Sequence, residues 1–335
     1  QSVIVLFFIF KKYLTKINMQ FTTKVPIAKS HHTIDYHSKI VSLGSCFAVN
    51  IAEKFNYYKF QNTVNPFGIL FHPLAIHESI RRAVEQDFFT ESDLFFHNER
   101  WHCFEVHSDL SAIHKEDLLK NLNQKVADFK LQIESATHFL ITYGTAWVYR
   151  EKATQQIVAN CHKVPQSQFE KELLTATTIQ KAIQETIGLI QSVNPKATIT
   201  FTVSPVRHLK DGFIENQQSK ANLIIGIHNT INQQPSTTNY FPSYEIMMDE
   251  LRDYRFYAED LLHPNATAIA YIWERFVSGS VAVESIPIMD EVDQIQKALA
   301  HRAFNPNSES HQKFLSNLNE RMSNIKKQYP FLVFE

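Results

Sequence analysis

Residues 39–48 constrain the fold of this chain more than any other stretch. A short apolar run ends at Gly44, and two side chains with nucleophilic atoms, Ser45 and Cys46, follow directly. Residues 47–55 then space their apolar side chains as an amphipathic helix does. Because a tight turn lifts side chains clear of a sheet and a helix start presents free N–H groups, this pattern predicts a strand–turn–helix platform for a nucleophile.

Further short runs with strand character follow, separated by stretches of helical spacing. The predicted strands after the first cover residues 59–64, 138–143, 197–203 and 240–247. The predicted helices after the first cover residues 73–85, 118–133, 169–174, 179–193, 219–231 and 266–277, and a hairpin is expected at 147–149 and 156–159. Strands that alternate with helices are typical of a mostly parallel sheet covered on both faces. We therefore predict a flavodoxin-like three-layer α/β/α sandwich around a five-stranded, mostly parallel sheet, with extra C-terminal helices.

The two ends of the chain differ from its middle. The apolar run within residues 1–18 is too short to span a bilayer and lacks the flanks of a secretory signal, so we expect a tail outside the fold or, alternatively, a truncated membrane anchor. Residues 19–282 contain no repeat or linker and are predicted to form one domain. Residues 283–335 are charged and helical in pattern, which predicts a C-terminal extension packed on that domain.

Charge and cysteine content exclude several classes of function. Lys and Arg number 33 against 34 Asp and Glu, and this balance gives no support for nucleic-acid or anionic-membrane partners, which require a basic surface. The three cysteines are widely spaced, which gives neither a disulfide framework nor a zinc pattern. We therefore expect no metal, no cofactor and a reducing, cytoplasmic location.

Small residues follow several of the predicted strands. Gly44, Gly68, Gly144 and Ser204 each come directly after an apolar run or the loop that ends it, in a chain with only seven glycines. Ligands of open α/β sheets bind outside the carboxyl ends of the strands. We therefore expect these positions to converge on one crevice.

A second constellation, Asp260 and His263, lies just before a predicted helix. A carboxylate three residues before a histidine can accept a hydrogen bond from one ring nitrogen, which leaves the other nitrogen free to act as a general base. Taken alone, the pair is more typical of a helix-capping Asp beside an exposed His than of a catalytic pair. The nucleophile turn earlier in the chain is what gives the pair a catalytic interpretation.

Several blocks in this order resemble a known family. The sequence of residues 44–48, Gly-Ser-Cys-Phe-Ala, is the signature of the GSCFA family, a relative of the SGNH/GDSL hydrolase superfamily, and the resemblance runs from about residue 19 to 276. The other blocks that look like the family's are residues 65–68, 144–147, 160–163, 204–208 and 260–263. The resemblance implies an SGNH-like α/β/α fold and hydrolase chemistry.

The resemblance also implies catalytic roles. The superfamily turn reads Gly-Asp-Ser, and a gap-free match from Gly44 places Cys46 in the nucleophile position. Ser45 is the rival if the turn shifts by one residue, and a buried Cys46 that only fills space is the non-catalytic alternative. His263 would be the base and Asp260 its orienting carboxylate. A thiolate beside this base and a helix start would be well activated.

The predicted oxyanion site departs from the superfamily pattern. The backbone N–H groups of Cys46 and Gly68 would be two donors. The third donor of the superfamily is an Asn two residues after a glycine, and counted from Gly144 that position is Ala146, which has no side-chain donor. The candidates for a replacement in this region and the next block are Thr145, Asn160 and His162.

Arg207 and His208 follow a predicted strand and are candidates to hold a substrate carboxylate or phosphate, although an exposed pair without function is the alternative. Together these features predict hydrolysis of an ester or thioester, such as a small acyl group on a sugar or glycan. An acyltransferase would share the acyl-enzyme. A non-catalytic binding protein on a degenerate hydrolase fold is the rival, since Ala146 is no donor and residue 45 is not acidic.

Overall fold

A computed structural model describes residues 22–233 and 237–334 of the chain. The predicted tail, residues 1–18, lies outside the described residues. The strands are β1 (Lys39–Gly44), β2 (Gln61–Val64), β3 (Leu94–His97), β4 (Arg100–Cys103), β5 (His138–Tyr143), β6 (Trp147–Glu151), β7 (Ile157–Val158), β8 (Phe169–Leu173), β9 (Thr198–Val203) and β10 (Thr238–Tyr240). The longer helices are α1 (Cys46–Tyr57), α2 (Pro73–Glu85), α3 (Lys115–Ser135), α4 (Ala176–Val193), α5 (Phe213–Ile231), α6 (Ala266–Ser280), α7 (Ile286–Ala300) and α8 (Glu309–Gln328). Short helical turns occupy Glu91–Asp93, Ser108–Leu110, Gln166–Gln168, Ser243–Glu245, Ile246–Glu250, Tyr254–Phe256 and Val283–Ser285.

Within the described ranges, the central sheet has five strands in the order β10-β9-β5-β1-β2, and every neighbouring pair is parallel. The predicted three-layer α/β/α fold around a parallel sheet is confirmed. The chain steps from β1 outward to β2 and then crosses to the other side of β1 to form β5. Ligand crevices of doubly wound sheets lie where the strand order reverses. The topology thus directs attention to the carboxyl ends of β1 and β5.

Side chains of the central strands alternate between two cores, one on each face of the sheet. Val41 and Phe139 pack with α2, α3, α4 and α5, whereas Ile40 and Leu140 pack with α1 and α6. This alternation follows from the two-residue period of a strand. Because helices cover both faces, the crevice can open only at a strand edge or end.

The C-terminal helices belong to the second of these cores. Val292 and Ile295 on α7 and Leu318 on α8 are buried in the same cluster as Phe47 and Phe55 of α1. A fully buried side chain of this size contributes roughly 1.5–3 kcal/mol of transfer free energy. The C-terminal segment is therefore packed on the helix that carries Cys46, and it stabilises that helix.

One predicted helix is wrong, because the segment forms a strand of one of the smaller sheets. The expected hairpin is confirmed, since β6 pairs with β7 in antiparallel fashion. Residues 169–174, predicted to be helical, instead form β8, which pairs with β6 from Trp147 opposite Leu173 to Glu151 opposite Phe169. Pairing along the open edge of β6 satisfies the backbone of this short segment, and such a tertiary contact outweighs weak helix propensity.

The predicted last strand is also wrong over most of its length. Residues 240–247 were expected to be extended, but the strand is Thr238–Tyr240 and the chain then forms Ser243–Glu245 and Ile246–Glu250 as helical turns. Pro242 has no N–H to donate to a neighbouring strand, so pairing ends there.

Candidate functional site

The turn after β1 requires a glycine. Gly44 has φ +130°, and a Cβ atom placed on it would lie 2.0 Å from the carbonyl oxygen of Thr142 on β5. The Asn65 side chain holds the same residue from the other side. Its Oδ1 accepts from the Gly44 N–H at 2.8 Å, and its Nδ2 donates to the Gly44 carbonyl at 3.1 Å. The turn is therefore fixed by two neighbouring strands, and Asn65 is a positioning residue that sequence reasoning did not single out.

Ser45 and Cys46 occupy different environments although they are adjacent. Ser45 precedes the first turn of α1, is 2% exposed, and its Oγ has no hydrogen-bond partner within the described residues. Its N–H donates to the Thr142 carbonyl at 3.2 Å. Cys46 is the first residue of α1 and is only half-buried. The thiol is thus the more accessible of the two candidate nucleophiles.

Burial raises the pKa of the Cys46 thiol, which the sequence predicted to be well activated. The backbone N–H groups of Phe47 and Cys46 and the charge of Lys220 act to lower this pKa, and the charge of Asp260 acts to raise it. Desolvation of the thiolate is the largest of these effects and outweighs those that lower the pKa. Because the pKa of this thiol is raised, attack by its sulfur requires a base that removes the proton.

The Asp260–His263 hydrogen bond that the spacing predicts is present. The Nδ1–H of His263 donates to Oδ2 of Asp260 at 2.6 Å. The other carboxylate oxygen, Oδ1, accepts from the N–H groups of Leu262 and His263 at 2.9 and 3.0 Å, and these bonds together with the ring lower the pKa of Asp260 to about 2. Nε2 of His263 has no hydrogen-bond partner in the described part of the chain, so it is available for proton transfer.

Arg207 ties the Asp260–His263 loop to the end of β9. Its N–H donates to the Leu262 carbonyl at 3.1 Å, and its guanidinium Nη1 donates to the Leu261 carbonyl at 3.0 Å. The charges of the loop reach the turn, because Asp260 raises the pKa of Cys46. The Asp260–His263 loop therefore lies within electrostatic range of the Gly44–Cys46 turn.

His208 places a second imidazole at the same edge. Its Nε2 is buried without a hydrogen-bond partner in the described residues, and it lies 3.3 Å from where a Cβ on Gly144 would be. The Cβ of Ser45 is also 3.3 Å from that point. Burial, with the charges of Lys220 and His263, lowers the pKa of His208 to about 3, so the ring is neutral. Buried polar atoms rarely lack a hydrogen-bond partner. Here two such atoms, Nε2 of His208 and Oγ of Ser45, belong to residues on either side of Gly144, which indicates a place for a ligand or water.

Lys220 is a component of the site that sequence reasoning missed. Its side chain is 1% exposed, and its Nζ donates to the carbonyls of Gly144 and Ser204 at 2.7 Å each. Burial lowers the pKa of this ammonium group to about 7. A signal was present, since Asn216 and Lys220 share a helical face with the core residue Leu223, where apolar side chains are expected.

The match to known proteins covers this whole constellation. Residues 39–276, from the first strand past the Asp260–His263 loop, match the model of the GSCFA family. This chain belongs to the GSCFA family. Residues 292–335 match a second family model, described as the GSCFA domain protein, C-terminal domain. A comparison with curated proteins finds no match.

Most of the expected oxyanion donors in this GSCFA protein are already engaged. The Gly68 N–H donates to the Asn65 carbonyl at 2.8 Å, and the N–H groups of Gly144 and Thr145 both donate to the Phe71 carbonyl, at 2.7 and 3.3 Å. The expectation that the Gly68 N–H faces an oxyanion is therefore wrong in this arrangement, because that group closes its own turn. The Thr145 hydroxyl is also committed, to a hydroxyl on α5.

Asn160 and His162 belong to a different part of the GSCFA fold. Oδ1 of Asn160 accepts from the His162 N–H at 2.8 Å, and Nε2 of His162 lies 2.7 Å from the Cys103 carbonyl. The His162 ring also packs against His102, with 4.8 Å between centroids. Within the described residues, neither side chain has a hydrogen bond or ring contact with the turn or the Asp260–His263 loop. Both instead lie near the end of β4, outside the central sheet.

Two absences apply to the residues that the structure describes. No three His, Cys, Asp or Glu side chains in residues 22–233 and 237–334 are grouped so that they could hold a metal ion. Over the same ranges, no helix combines the length and the apolar character that a membrane span requires.

Proposed function

We propose that this protein hydrolyses an ester or thioester through an acyl-enzyme on Cys46, with His263 as general base and Asp260 as its orienting carboxylate. The observation that carries the proposal is the 2.6 Å Asp260–His263 pair, whose ring has a free Nε2 and whose carboxylate charge reaches Cys46 at the start of α1. Kinship with SGNH/GDSL hydrolases is part of the proposal and is supported by the order of the blocks along the chain.

The raised pKa of Cys46 determines how the reaction begins. Nε2 of His263 takes the thiol proton while Sγ attacks the carbonyl carbon of the substrate, and Asp260 stabilises the imidazolium that results. The imidazolium then returns the proton to the leaving alcohol or thiol as its bond to the carbonyl carbon breaks. Water, activated by the same ring, hydrolyses the acyl-enzyme and regenerates the thiol. The raised pKa therefore supports a thiol that stays protonated until it attacks the substrate.

The oxyanion site is built differently from the superfamily pattern. The N–H groups of Cys46 and Phe47 have no acceptor within the helix, since they belong to its first turn, and they face the sulfur. We assign a further donor to Nε2–H of neutral His208, the buried atom without a partner beside Gly144. Such a donor supplies about 10²–10³ in rate, which would offset the loss of one of the two donors missing at Ala146 and Gly68.

A set of variants tests the proposal by turnover of 4-nitrophenyl acetate. We expect Cys46→Ala and His263→Ala to lose about 10²–10⁴-fold in rate, because each removes a group that acts on the reacting atoms. Ser45→Ala should keep most of the activity. His107→Ala is a matched control, since His107 forms another histidine–carboxylate pair, 3.1 Å from Asp109 on a different loop, and it should match the wild type.

The outcomes separate the rival interpretations. Wild-type turnover in His263→Ala would end the mechanism. An inactive Ser45→Ala with an active Cys46→Ala would assign the nucleophile to the serine. If the wild type shows no turnover and iodoacetamide labels Cys46 no faster than it labels a denatured control, the protein is a binding protein rather than a hydrolase.

A further inference from the structure

Arg207 is held in place beside the candidate base. Both its backbone N–H and its guanidinium donate to carbonyls of the loop that carries His263, those of Leu262 and Leu261 respectively. These bonds restrict the side chain, so the remaining N–H groups of the guanidinium have a defined position relative to the site. A guanidinium with a fixed position is suited to bind a planar or tetrahedral anion through paired hydrogen bonds.

The charge of Arg207 is uncompensated within the described residues, where no carboxylate lies within 4.0 Å of it. The carboxylates around it are occupied: Asp260 by His263 at 2.6 Å, and Asp253 by Arg255 at 3.0 Å. Arg252, which lines the same pocket, is paired with Asp249 at 3.2 Å. The local charge that remains available to a ligand is therefore positive.

Aromatic rings surround this guanidinium on several sides. The Cζ atom of Arg207 lies 5.7, 5.9 and 5.6 Å from the ring centroids of Phe213, Tyr254 and Tyr257. Phe213 and Tyr254 are 68% and 64% exposed, although large aromatic side chains are usually buried. The rings therefore contact the cation and leave apolar surface beside it open to a ligand.

A pocket of about 240 Å³ opens beside Arg207. Its walls include Asn216, Tyr244, Met247 and Tyr257. Two of these residues connect it to the site, since Oδ1 of Asn216 accepts from the His208 N–H at 2.9 Å and the Lys220 ammonium lies 5.7 Å from the Tyr244 ring centroid. The pocket therefore joins the uncompensated cation to residues that contact His208 and Lys220.

We infer that this pocket binds an anionic group, a carboxylate or a phosphate, that the substrate carries next to its ester. This inference rests on the proposed function for the identity of the ligand as a substrate. It narrows the substrate class from any acyl ester to one with a negative charge within a few bonds of the scissile carbonyl. The binding itself requires no chemistry at Cys46, so it is measurable without turnover.

Calorimetric titration of the full chain with small probes tests the pocket directly. Succinate and glycerol 3-phosphate supply the two anions, and succinamide and glycerol are their neutral counterparts. We expect at least one anion to bind about tenfold or more tightly than its neutral counterpart, and Arg207→Gln to weaken that binding about tenfold, as loss of a charge-assisted pair does. Arg252→Gln, in the same pocket but with its own carboxylate partner, should change the Kd less than about twofold.

The result identifies the anion or overturns the inference. Tighter binding of succinate indicates a carboxylate on the substrate, and tighter binding of glycerol 3-phosphate indicates a phosphate. Equal affinity for charged and neutral probes, no binding of either anion, or undiminished binding in Arg207→Gln contradicts the inference. If circular dichroism shows that Arg207→Gln is unfolded, Arg207→Lys and the charged–neutral comparison in the wild type decide it.

Paired ester substrates separate this inference from the proposed function. The 4-nitrophenyl esters of butyrate and hemisuccinate have acyl chains of equal length and differ in a terminal carboxylate. If both esters are hydrolysed at equal rates and no anion binds, the proposed hydrolase function is supported and the anion-binding subsite is contradicted. If an anion binds in a way that depends on Arg207 but no ester is hydrolysed, the subsite is supported and the hydrolase function is contradicted.

Discussion

The two halves of the candidate site are held in place by different means. The turn of Gly44, Ser45 and Cys46 lies between β1 and α1 and is held by residues far away in sequence, Thr142 and Asn65. The Asp260–His263 pair is about half exposed, at 45% and 44% of the side chains. Arg207 ties its loop to the end of β9, but the geometry of the pair itself comes from hydrogen bonds within four residues.

This difference explains the electrostatics of each half. On the turn side, burial lowers the pKa of His208 to about 3 and that of Lys220 to about 7, and it raises the pKa of Cys46. On the loop side, hydrogen bonds rather than burial lower the pKa of Asp260 to about 2. Substitutions that disturb buried groups on the turn side, such as Gly44 or His208, should therefore change folding stability more than substitutions in the exposed loop.

Gly44→Ala should produce the largest loss of stability. The new Cβ would lie 2.0 Å from the Thr142 carbonyl oxygen, in a backbone conformation that alanine avoids, so we expect a loss of about 3 kcal/mol or more in the free energy of unfolding. Urea denaturation measures this loss. Gly188→Ala is the matched control, because no atom lies within 4 Å of its new Cβ and alanine favours the interior of α4, which should add about 0.5–1 kcal/mol. Equal stabilities of the two variants would show that the turn is not rigid.

His208→Gln should flatten the loss of stability in acid. The pKa of His208 is about 3 in the folded state, below the 6.5 of a free histidine, so the unfolded chain binds more protons between these values. The contribution of the neutral His208 ring to the free energy of unfolding is complete above pH 6.5 and is lost as the pH is lowered toward 3. Between pH 7 and 4 the variant should lose less stability than the wild type, by on the order of 2–3 kcal/mol.

Urea denaturation of both proteins at a series of pH values measures this difference. The other titrating groups are common to the two proteins and cancel in the comparison. Between pH 7 and 8 the two curves should be parallel, which serves as the internal control. Parallel curves down to pH 4 would instead show that the ring of His208 is already accessible to water in the folded state.

Ser45→Ala should have the smallest effect on stability. Ser45 precedes α1 in the position of a helix cap, but its hydroxyl makes no capping bond, so its removal should change the free energy of unfolding by less than about 0.5 kcal/mol. Thr175→Ala is the matched control on α4, where Oγ1 accepts from the Thr178 N–H at 3.1 Å, and it should cost about 1 kcal/mol. A larger loss in Ser45→Ala would indicate that its hydroxyl has a partner in solution.

The predictions that succeeded rested on strong local patterns. The strand–turn–helix at Gly44 and the Asp260–His263 hydrogen bond follow from short stretches of sequence, because the interacting groups lie within a few residues of each other. The predictions that failed involved competition with distant groups. Residues 169–174 became β8 because an open strand edge was nearby, and the thiol of Cys46 lost its expected acidity to burial.

Lys220 shows why the rest of the site was out of reach of the sequence. A lysine in a helical stretch is usually solvated, and nothing local indicates that its ammonium group meets the carbonyls of Gly144 and Ser204, 76 and 16 residues away. Asn65 was noted only as part of a loop, and its clamp on Gly44 exists because β2 lies beside β1.

By itself the sequence determined strands β1, β2, β5 and β9 of the central sheet and the longer helices between them, the glycine turn that presents Ser45 and Cys46, and the pairing of Asp260 with His263. These depend on periodicity, backbone conformation and contacts over a few residues. Only the tertiary structure decided which donors remain free, how burial sets the pKa values of Cys46, His208 and Lys220, and that an uncompensated arginine lies beside the base. Those properties depend on which groups exclude water from one another, and only the packed fold determines that.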